Sequence, residues 1–338
     1  MSSRTSPLPA ALTVRRAGGP RTPLSPAAWI GILALLAAGA IALYLSVDLG
    51  GNLGYVLPRR VNRVLTMVLV AYSVGVSTVL FQTVTSNRIL TPSIMGFDAL
   101  YLLIQTALVF FVGSIGVTAL GDSTKFGLEL VLMVAFSWLI YRWLFTGSGK
   151  SLHLVLLVGI VFGTVFRGVS SLLQRLLEPS EFIVLQDAMF ASFSNVDTGL
   201  LRLSAVLIGL TSLVVVLLRR HLDVLALGRD TAISLGVDHT RVVTAVLVVC
   251  SVFVGVCTAL VGPITFFGLI VANLAYALCR NFRHRHVLPM AVLLGVVALV
   301  GGQLVLEQVF AFDTALSIVI EFVGGLLFLV MLLRGSIK

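Results

Sequence analysis

The sequence predicts an all-α membrane protein of about ten transmembrane helices, and three observations support this fold class. Of the 338 residues, 58% are hydrophobic and only 11% are charged, and the mean hydropathy is +1.09. A soluble domain carries roughly 25% charged residues, so a chain this apolar needs the bilayer as its solvent. The apolar runs are also long and unbroken, whereas the strands of a membrane β-barrel read as short alternating segments.

Each apolar run is long enough for one span of about 20 residues, except for one that is too long. The run from Val242 to Cys279 is almost uncharged, and as a single helix it would measure roughly 57 Å against a hydrocarbon core of about 30 Å. Gly262 and Pro263 are its strongest helix breakers, so they predict a tight turn between two spans. The predicted spans are 27–47, 62–84, 93–113, 125–146, 152–175, 200–219, 240–262, 264–280, 286–308 and 315–334.

The basic residues predict the orientation of the chain. With ten alternating spans and a cytoplasmic N-terminus, most of the 23 Lys and Arg residues fall in cytoplasmic segments, as the positive-inside rule requires. This bias accounts for the net charge of +9 and makes nucleic-acid binding an unsuitable interpretation. Residues 1–25, rich in Pro, Ser and Arg, are predicted to be a disordered cytoplasmic terminus, and residues 26–338 a single transmembrane domain with both termini in the cytoplasm.

The cytoplasmic segment 220–240 is predicted to be structured although it is not a span. Its leucines give one apolar face, Asp230 is placed to cap a short helix, and Asp238 is placed to cap the next span. Two short helices beneath the membrane are therefore expected, and such an element suits a protein that docks a cytoplasmic partner. The outer segment 176–199 is expected to hold a short surface helix.

No motif indicates catalysis by this chain. Residues 146–151 (TGSGKS) look like the end of a phosphate-binding loop, but position 144, where that loop needs Gly, is Leu, and an apolar span precedes it instead of a strand. The five His residues form no metalloprotease pattern. We therefore predict no catalytic residue, no metal site and no directly bound cofactor. ATP-driven transport would need a separate chain to bind the nucleotide.

Few ionisable residues lie inside the predicted spans, and we identify Glu129, Arg167 and Glu321. A charge in hydrocarbon is costly, so each should face protein or water. Pairing between helices is favoured over contact with a substrate, and Gly324 and Gly325 beside Glu321 permit close helix approach. A proton-coupled carrier usually has more such residues, so their scarcity favours an outside source of energy.

The cluster formed by Arg59, Arg60 and Arg63 breaks the positive-inside rule, because it lies on the predicted outer side. Charge alone leaves two interpretations open. The cluster anchors the second span, or it attracts an acidic partner or an anionic chelate.

Three stretches of the sequence resemble the ABC importer permeases for iron chelates and vitamin B12, and the resemblance runs from about residue 27 to the C-terminus. The first is Leu57–Arg59, followed by Gln82 and by Asn87–Gly96 (NRILTPSIMG). The second and most specific is Leu225–Val237 (LALGRDTAISLGV), which is similar to the family's cytoplasmic coupling segment. The third is Gly262–Val271 (GPITFFGLIV).

The sequence departs from the family pattern at several positions. Ala272 and Asn273 replace the usual Pro-His, Arg88 replaces a Pro, and Val56 replaces an Arg. These differences resemble the branch of permeases for ferric siderophores such as catecholates. They argue against vitamin B12 as the substrate more than they argue against membership of the family.

The resemblance implies a type II ABC importer permease fold in a bacterial cytoplasmic membrane. It implies a second, non-identical permease subunit, two cytoplasmic ATPase subunits that hold ATP and Mg, an extracytoplasmic binding protein and a ferric siderophore as substrate. Arg59 matches the family's docking arginine, with Arg60 and Arg63 added by proximity. The residues implied to couple the chain to the ATPase are Leu227, Gly228, Arg229, Asp230, Leu235, Gly236 and Val237.

Other functions remain as alternatives at this point. A proton-coupled secondary transporter would work without an ATPase and would leave segment 220–240 without a function. A permease for another chelate, such as haem or vitamin B12, would keep the fold and change the substrate. An intramembrane enzyme is disfavoured because catalytic residues are missing.

Overall fold

The computed structural model describes residues 25–47, 53–145, 152–193, 196–279, 283–309 and 316–333. Regular structure within these ranges is entirely helical. The predicted disordered terminus, apart from its last residue, and the TGSGKS segment at 146–151 lie outside the described residues. The helices are α1 (Pro26–Ser46), α2 (Leu53–Thr85), α3 (Phe97–Ala119), α4 (Asp122–Phe145), α5 (Leu152–Leu176), α6 (Pro179–Ala188), α7 (Thr198–Leu225), α8 (Arg229–Ser234), α9 (His239–Val261), α10 (Phe267–Cys279), α11 (His284–Val309) and α12 (Leu316–Leu333).

The helices confirm the predicted all-α membrane fold. Within the described ranges, eight are long and apolar enough to cross a membrane, namely α1 to α5, α7, α9 and α11, while α10 and α12 are shorter apolar helices. The predicted turn at Gly262 and Pro263 is present, since α9 ends at Val261 and α10 begins at Phe267. The surface helix expected in segment 176–199 is α6.

Two helix boundaries differ from the predicted spans. Helix α2 begins at Leu53 instead of residue 62, and it includes Pro58 in its second turn, where the proline has no N–H to donate to the Gly54 carbonyl. Helix α7 continues to Leu225 instead of ending at residue 219, because Leu222 and Leu225 are buried against the bundle beyond its two arginines. Charged residues mark where a helix leaves the membrane, not where it ends.

Helix α2 lies at the centre of the bundle, in contact with α1, α7, α9, α10 and α11. Small residues allow its close approach to α11, because Gly75 faces the backbone of Ala291 and Gly295 faces Ala71. The prediction for the last span is half right. Gly324 packs against the side chains of Phe266 and Ile270, whereas among the described residues no atom would lie within 4 Å of a Cβ at Gly325.

Two helix-breaking segments meet inside the bundle. A 3-10 turn, Pro92–Met95, precedes α3, and a non-helical stretch that ends in a turn, 262–266, precedes α10. Both line one small cavity between α2, α3, α9 and α10. Gly96 has φ +89° and its backbone touches that of Gly163 on α5, so that a Cβ on Gly96 would lie 2.9 Å from the Gly163 Cα. Only Gly fits this position without strain.

The predicted pair of short helices in segment 220–240 is a single one, α8, because α7 itself occupies the first half of the segment. Gly228, not Asp230, is the N-cap residue of α8, and Asp230 lies in the first turn. The capping prediction for the next span is right, since the Asp238 carboxylate accepts from the Arg241 backbone N–H at 3.1 Å. We call the end of the bundle at which α8 lies the α8 end.

Candidate functional site

Helix α8 and the residues that flank it expose apolar side chains at one end of the bundle. Leu227, Ile233 and Leu235 are 61%, 51% and 60% exposed, while Ala232 is fully buried and holds α8 against the bundle. Helix α8 contacts α7 and α9. A cluster of exposed leucine and isoleucine beside Arg229 is typical of a surface that binds another protein.

Two glycines determine the shape of this surface. Gly228 has φ +97° and Gly236 has φ +82°, so the backbone turns sharply on both sides of α8. The Val237 N–H donates to the Ala232 carbonyl at 3.0 Å, which closes the C-terminal turn. The sequence LGRDTAISLG therefore forms a short rigid projection between α7 and α9.

A buried histidine connects the base of α7 with α11 and α2. The backbone N–H of His284 donates to the Asp223 carboxylate at 3.0 Å, and its Nδ1 lies 2.7 Å from the same oxygen. Its Nε2 lies 2.7 Å from the Thr83 hydroxyl of α2. Because Asp223 is five residues before Gly228, this network ties the segment that leads into α8 to the central helix.

The predicted outer arginines lie at the end of the bundle opposite α8, and they differ in their surroundings. Arg63 donates to Glu307 of α11 at 2.6 Å and to the Tyr44 hydroxyl at 3.1 Å, so it is built into the bundle. Arg60 donates to the carbonyls of Tyr44 and Val47 at the end of α1. Arg59 is exposed, with its guanidinium over the Tyr55 ring.

Two of the three predicted intramembrane residues, Arg167 and Glu321, belong to a cluster around Asp98. The Thr265 hydroxyl donates to Asp98 Oδ2 at 3.0 Å and also interacts with Glu321. Arg167 and Glu321 both act electrostatically on Asp98. Within the part of the chain that the structure describes, Asp98 Oδ1 has no hydrogen-bond partner, and the cavity beside it, of about 20 Å³, is large enough for one water molecule.

Glu129, the third predicted residue, lies apart from this cluster. It is 1% exposed on α4 and accepts a hydrogen bond from the Gln105 side chain of α3 at 2.6 Å. Both residues line a cavity of about 400 Å³ that also contains Tyr101 and Lys125. The hydrogen bond joins α3 to α4.

Two features of the site were not predicted, namely Asp98 and the contact between two residues that depart from the family pattern. Asp98 falls within the predicted span 93–113, and its acidic side chain inside an apolar span is the signal that indicates it. The Asn273 side chain donates to the Arg88 carbonyl at 3.0 Å. Arg88 also lies over the Tyr276 ring, 5.0 Å from its centroid. The two departures therefore occur together in space, which their separation in sequence conceals.

A polytopic helical bundle with broken helices at a central polar cluster and a projecting helix at one end defines the class of membrane transport permeases. The family model described as the FecCD transport family matches residues 28–334. The chain belongs to this family, and it is a multi-pass membrane protein.

Named relatives and a solved structure agree with this assignment. The chain is 45% identical over 91% of its length to the petrobactin import system permease protein YclO of Bacillus subtilis, covering 97% of that protein. It is 34% identical over 90% of its length to FatC, a petrobactin import permease of Bacillus anthracis, covering 88% of it. An inward-facing metal-chelate type ABC transporter has the same fold, with a TM-score of 0.75 at 23% identity, covering 92% of this chain and all of that one.

Proposed function

We propose that this chain is the membrane-spanning permease subunit of an ATP-driven importer, and that it moves a ferric siderophore across the bacterial cytoplasmic membrane. Its α8 end and both termini face the cytoplasm. The basic residues near the α8 end, among them Arg219, Arg220, Arg229 and Arg241, support this orientation through the positive-inside rule.

The observation that carries the proposal is the exposed apolar surface of α8. Leu227, Ile233 and Leu235 lie beyond the ends of the membrane helices, where lipid chains do not cover them. A cytoplasmic ATPase subunit that packs on this surface would bury it. Two such subunits bind the ATP and Mg, and the permease itself binds no cofactor and catalyses no reaction.

The coupling residues form one continuous segment of the chain. Gly228 and Gly236 set its turns, and the base of α7 is linked through His284 to α2 and α11. A displacement of α8 by the ATPase would therefore reach the central helix through packed and hydrogen-bonded contacts. ATP can drive transport only if it binds the inward- and outward-facing states with different affinity. The coupling residues are Leu227, Gly228, Arg229, Asp230, Leu235, Gly236 and Val237.

A second, non-identical permease subunit completes the pathway. The relatives FatC and FatD are both named petrobactin import permeases of Bacillus anthracis, and this chain is 34% identical to the first and 25% to the second. A chain that resembles one member of such a pair more than the other supports a heterodimer. The substrate class follows from the same relatives, since YclO also imports petrobactin by name.

An extracytoplasmic binding protein docks at the end opposite α8. Arg59 is exposed there and is available for an acidic partner, whereas Arg60 and Arg63 are held by α1 and α11. Arg59 therefore supplies the docking charge, and the other two arginines fix the helix that presents it.

Substitution of the α8 surface tests the proposal. In the complex expressed with its ATPase, Leu235→Arg should remove ATPase subunits from the purified permease and stop uptake of a ferric catecholate siderophore. Thr240→Arg introduces the same charge at an exposed position on α9 and serves as the matched control. The proposal would be wrong if the Leu235→Arg protein kept its ATPase and its uptake.

A proton-coupled carrier gives a different result in the same experiment. Uptake by vesicles that contain this chain but no ATPase, driven by a pH gradient alone, would favour that alternative. Uptake that needs ATP inside the vesicle and is insensitive to an uncoupler favours the importer.

A further inference from the structure

A groove between α7 and α11 lies next to the coupling segment and is not used by the proposed function. It has a volume of about 820 Å³ and runs along the half of each helix nearest the α8 end. Its deeper wall is apolar, with Val215 and Val216 from α7 and Leu288, Val292 and Leu293 from α11.

Three arginines surround the mouth of the groove. Arg219, Arg220 and Arg285 are exposed and line it. Among the described residues, none of the three forms an ion pair. Of the described residues that line the groove, Asp223 is the only acid, and both of its contacts with His284 use its Oδ1 atom. The groove is therefore positive at its mouth and apolar inside.

The dimensions of the groove fit one membrane leaflet. From His284 at the mouth to Leu293 at the deep end, α11 rises roughly 14 Å, which is about half of a hydrocarbon core of about 30 Å. The groove also opens onto an apolar surface suited to contact with lipid, because Leu213, Val216 and Leu217 of α7 are 59%, 55% and 69% exposed. An occupant can enter sideways from the bilayer.

From this combination we propose that the α7–α11 groove binds an anionic phospholipid of the leaflet at the α8 end. The arginines bind the phosphate of the headgroup, and one acyl chain packs along the apolar wall. The bound lipid bridges α7 and α11 beside Asp223 and so supports the helix that leads into α8. The proposal rests on the cytoplasmic orientation of the α8 end, because anionic lipid is enriched there.

Lipid retention by the purified complex tests this proposal directly. The complete importer is reconstituted with phosphatidylglycerol and phosphatidylethanolamine, extracted in detergent, and examined by native mass spectrometry. Each Arg→Gln substitution at 219, 220 and 285 should weaken binding of phosphatidylglycerol about fivefold, because a basic residue at the membrane surface contributes about 1 kcal/mol. The triple variant should lose nearly all of it. Arg202→Gln, at the other end of α7, should have no effect.

A second pair of variants separates the groove from charge alone. Val216→Trp should fill the apolar wall from its exposed side and lower phosphatidylglycerol retention with all three arginines present. Val214→Trp is the control, since Val214 is exposed on α7 but does not line the groove. A triple variant that keeps its phosphatidylglycerol, or a wild type that retains phosphatidylethanolamine equally, would overturn the proposal.

A photoreactive amino acid at position 216 distinguishes a lipid from a protein occupant. Crosslinks to phospholipid support the proposal, and crosslinks to another subunit of the importer overturn it. Failure of the proposed function looks different, because Leu235→Arg would then leave uptake intact without any change in lipid retention.

Discussion

At the α8 end, a six-residue helix projects with its apolar side chains exposed, whereas at the opposite end arginines are folded into contacts between helices. Arg63 and Glu307 are each only about one quarter exposed, at 26% and 23%. The difference fits the proposed docking of a partner at the α8 end and a structural role for most of the opposite end. Substitutions at the two ends should therefore affect different measurements.

The largest effect is expected at Gly236. Its φ of +82° is costly for any residue with a Cβ, and Gly236→Arg adds a bulky charge beside the exposed leucines. Siderophore uptake should fall by at least about tenfold, because the arginine side chain disturbs the proposed ATPase surface in addition to a backbone strain of roughly 1–2 kcal/mol. Membrane insertion, measured by the amount of protein in the membrane fraction, should stay unchanged.

Gly236→Ala is the control for this prediction, because it introduces the strain without the charge and should reduce uptake less. Normal uptake by the Gly236→Arg protein would show that the segment does not couple the chain to an ATPase.

The next effect is expected at Arg63 and concerns stability. Arg63→Ala removes the contacts with Glu307 and Tyr44 and leaves the carboxylate of Glu307 without its cation. Hydrogen bonds to charged groups contribute about 1.5–3 kcal/mol, and partial exposure places this pair near the lower limit. The midpoint of thermal unfolding in detergent should fall clearly.

Arg59→Ala serves as the comparison, because Arg59 is exposed and only stacks on Tyr55. Equal unfolding midpoints for the two variants would contradict the structural assignment of Arg63.

The smallest effect is expected when Arg59 is changed to Glu. Reversal of this exposed charge should slow association with an acidic binding protein by about tenfold at low salt, with the difference shrinking as the salt concentration rises. Surface plasmon resonance with the reconstituted complex would measure this association rate. Arg202→Glu, near the same end on α7, should change the rate much less, and an equal loss in both variants would mean that general charge, not docking, is responsible.

Hydropathy alone predicted the helical fold, because burial in a bilayer demands long apolar runs whatever their contacts. The leucines and the capping residues of segment 220–240 also predicted a short helix there, and α8 is that helix. Hydropathy could not place the start of α2 or the end of α7. Leu222 and Leu225, for example, are buried by tertiary packing beyond the two arginines that marked the predicted end of α7.

The polar contacts inside the bundle were also beyond prediction. Asp98 and Thr265 are far apart in sequence and meet only because both helices are interrupted at the same depth. Likewise, Arg63 looked like a docking residue by proximity to Arg59, but one helical turn places it against α11 instead. The direction of each side chain on the helix determines whether an arginine faces solvent or a neighbouring helix. A count of charges carries no information on that direction.

The contact between Gly96 and Gly163 limits how this part of the chain can move. The two backbones touch with no side chain between them, and close-packed interfaces do not deform continuously. A tilt of α5 must therefore carry the neighbouring 3-10 turn along, and with it Asp98 in the first turn of α3. Any opening or closing of the bundle at this position would therefore move the Asp98 carboxylate together with α5 and the 3-10 turn.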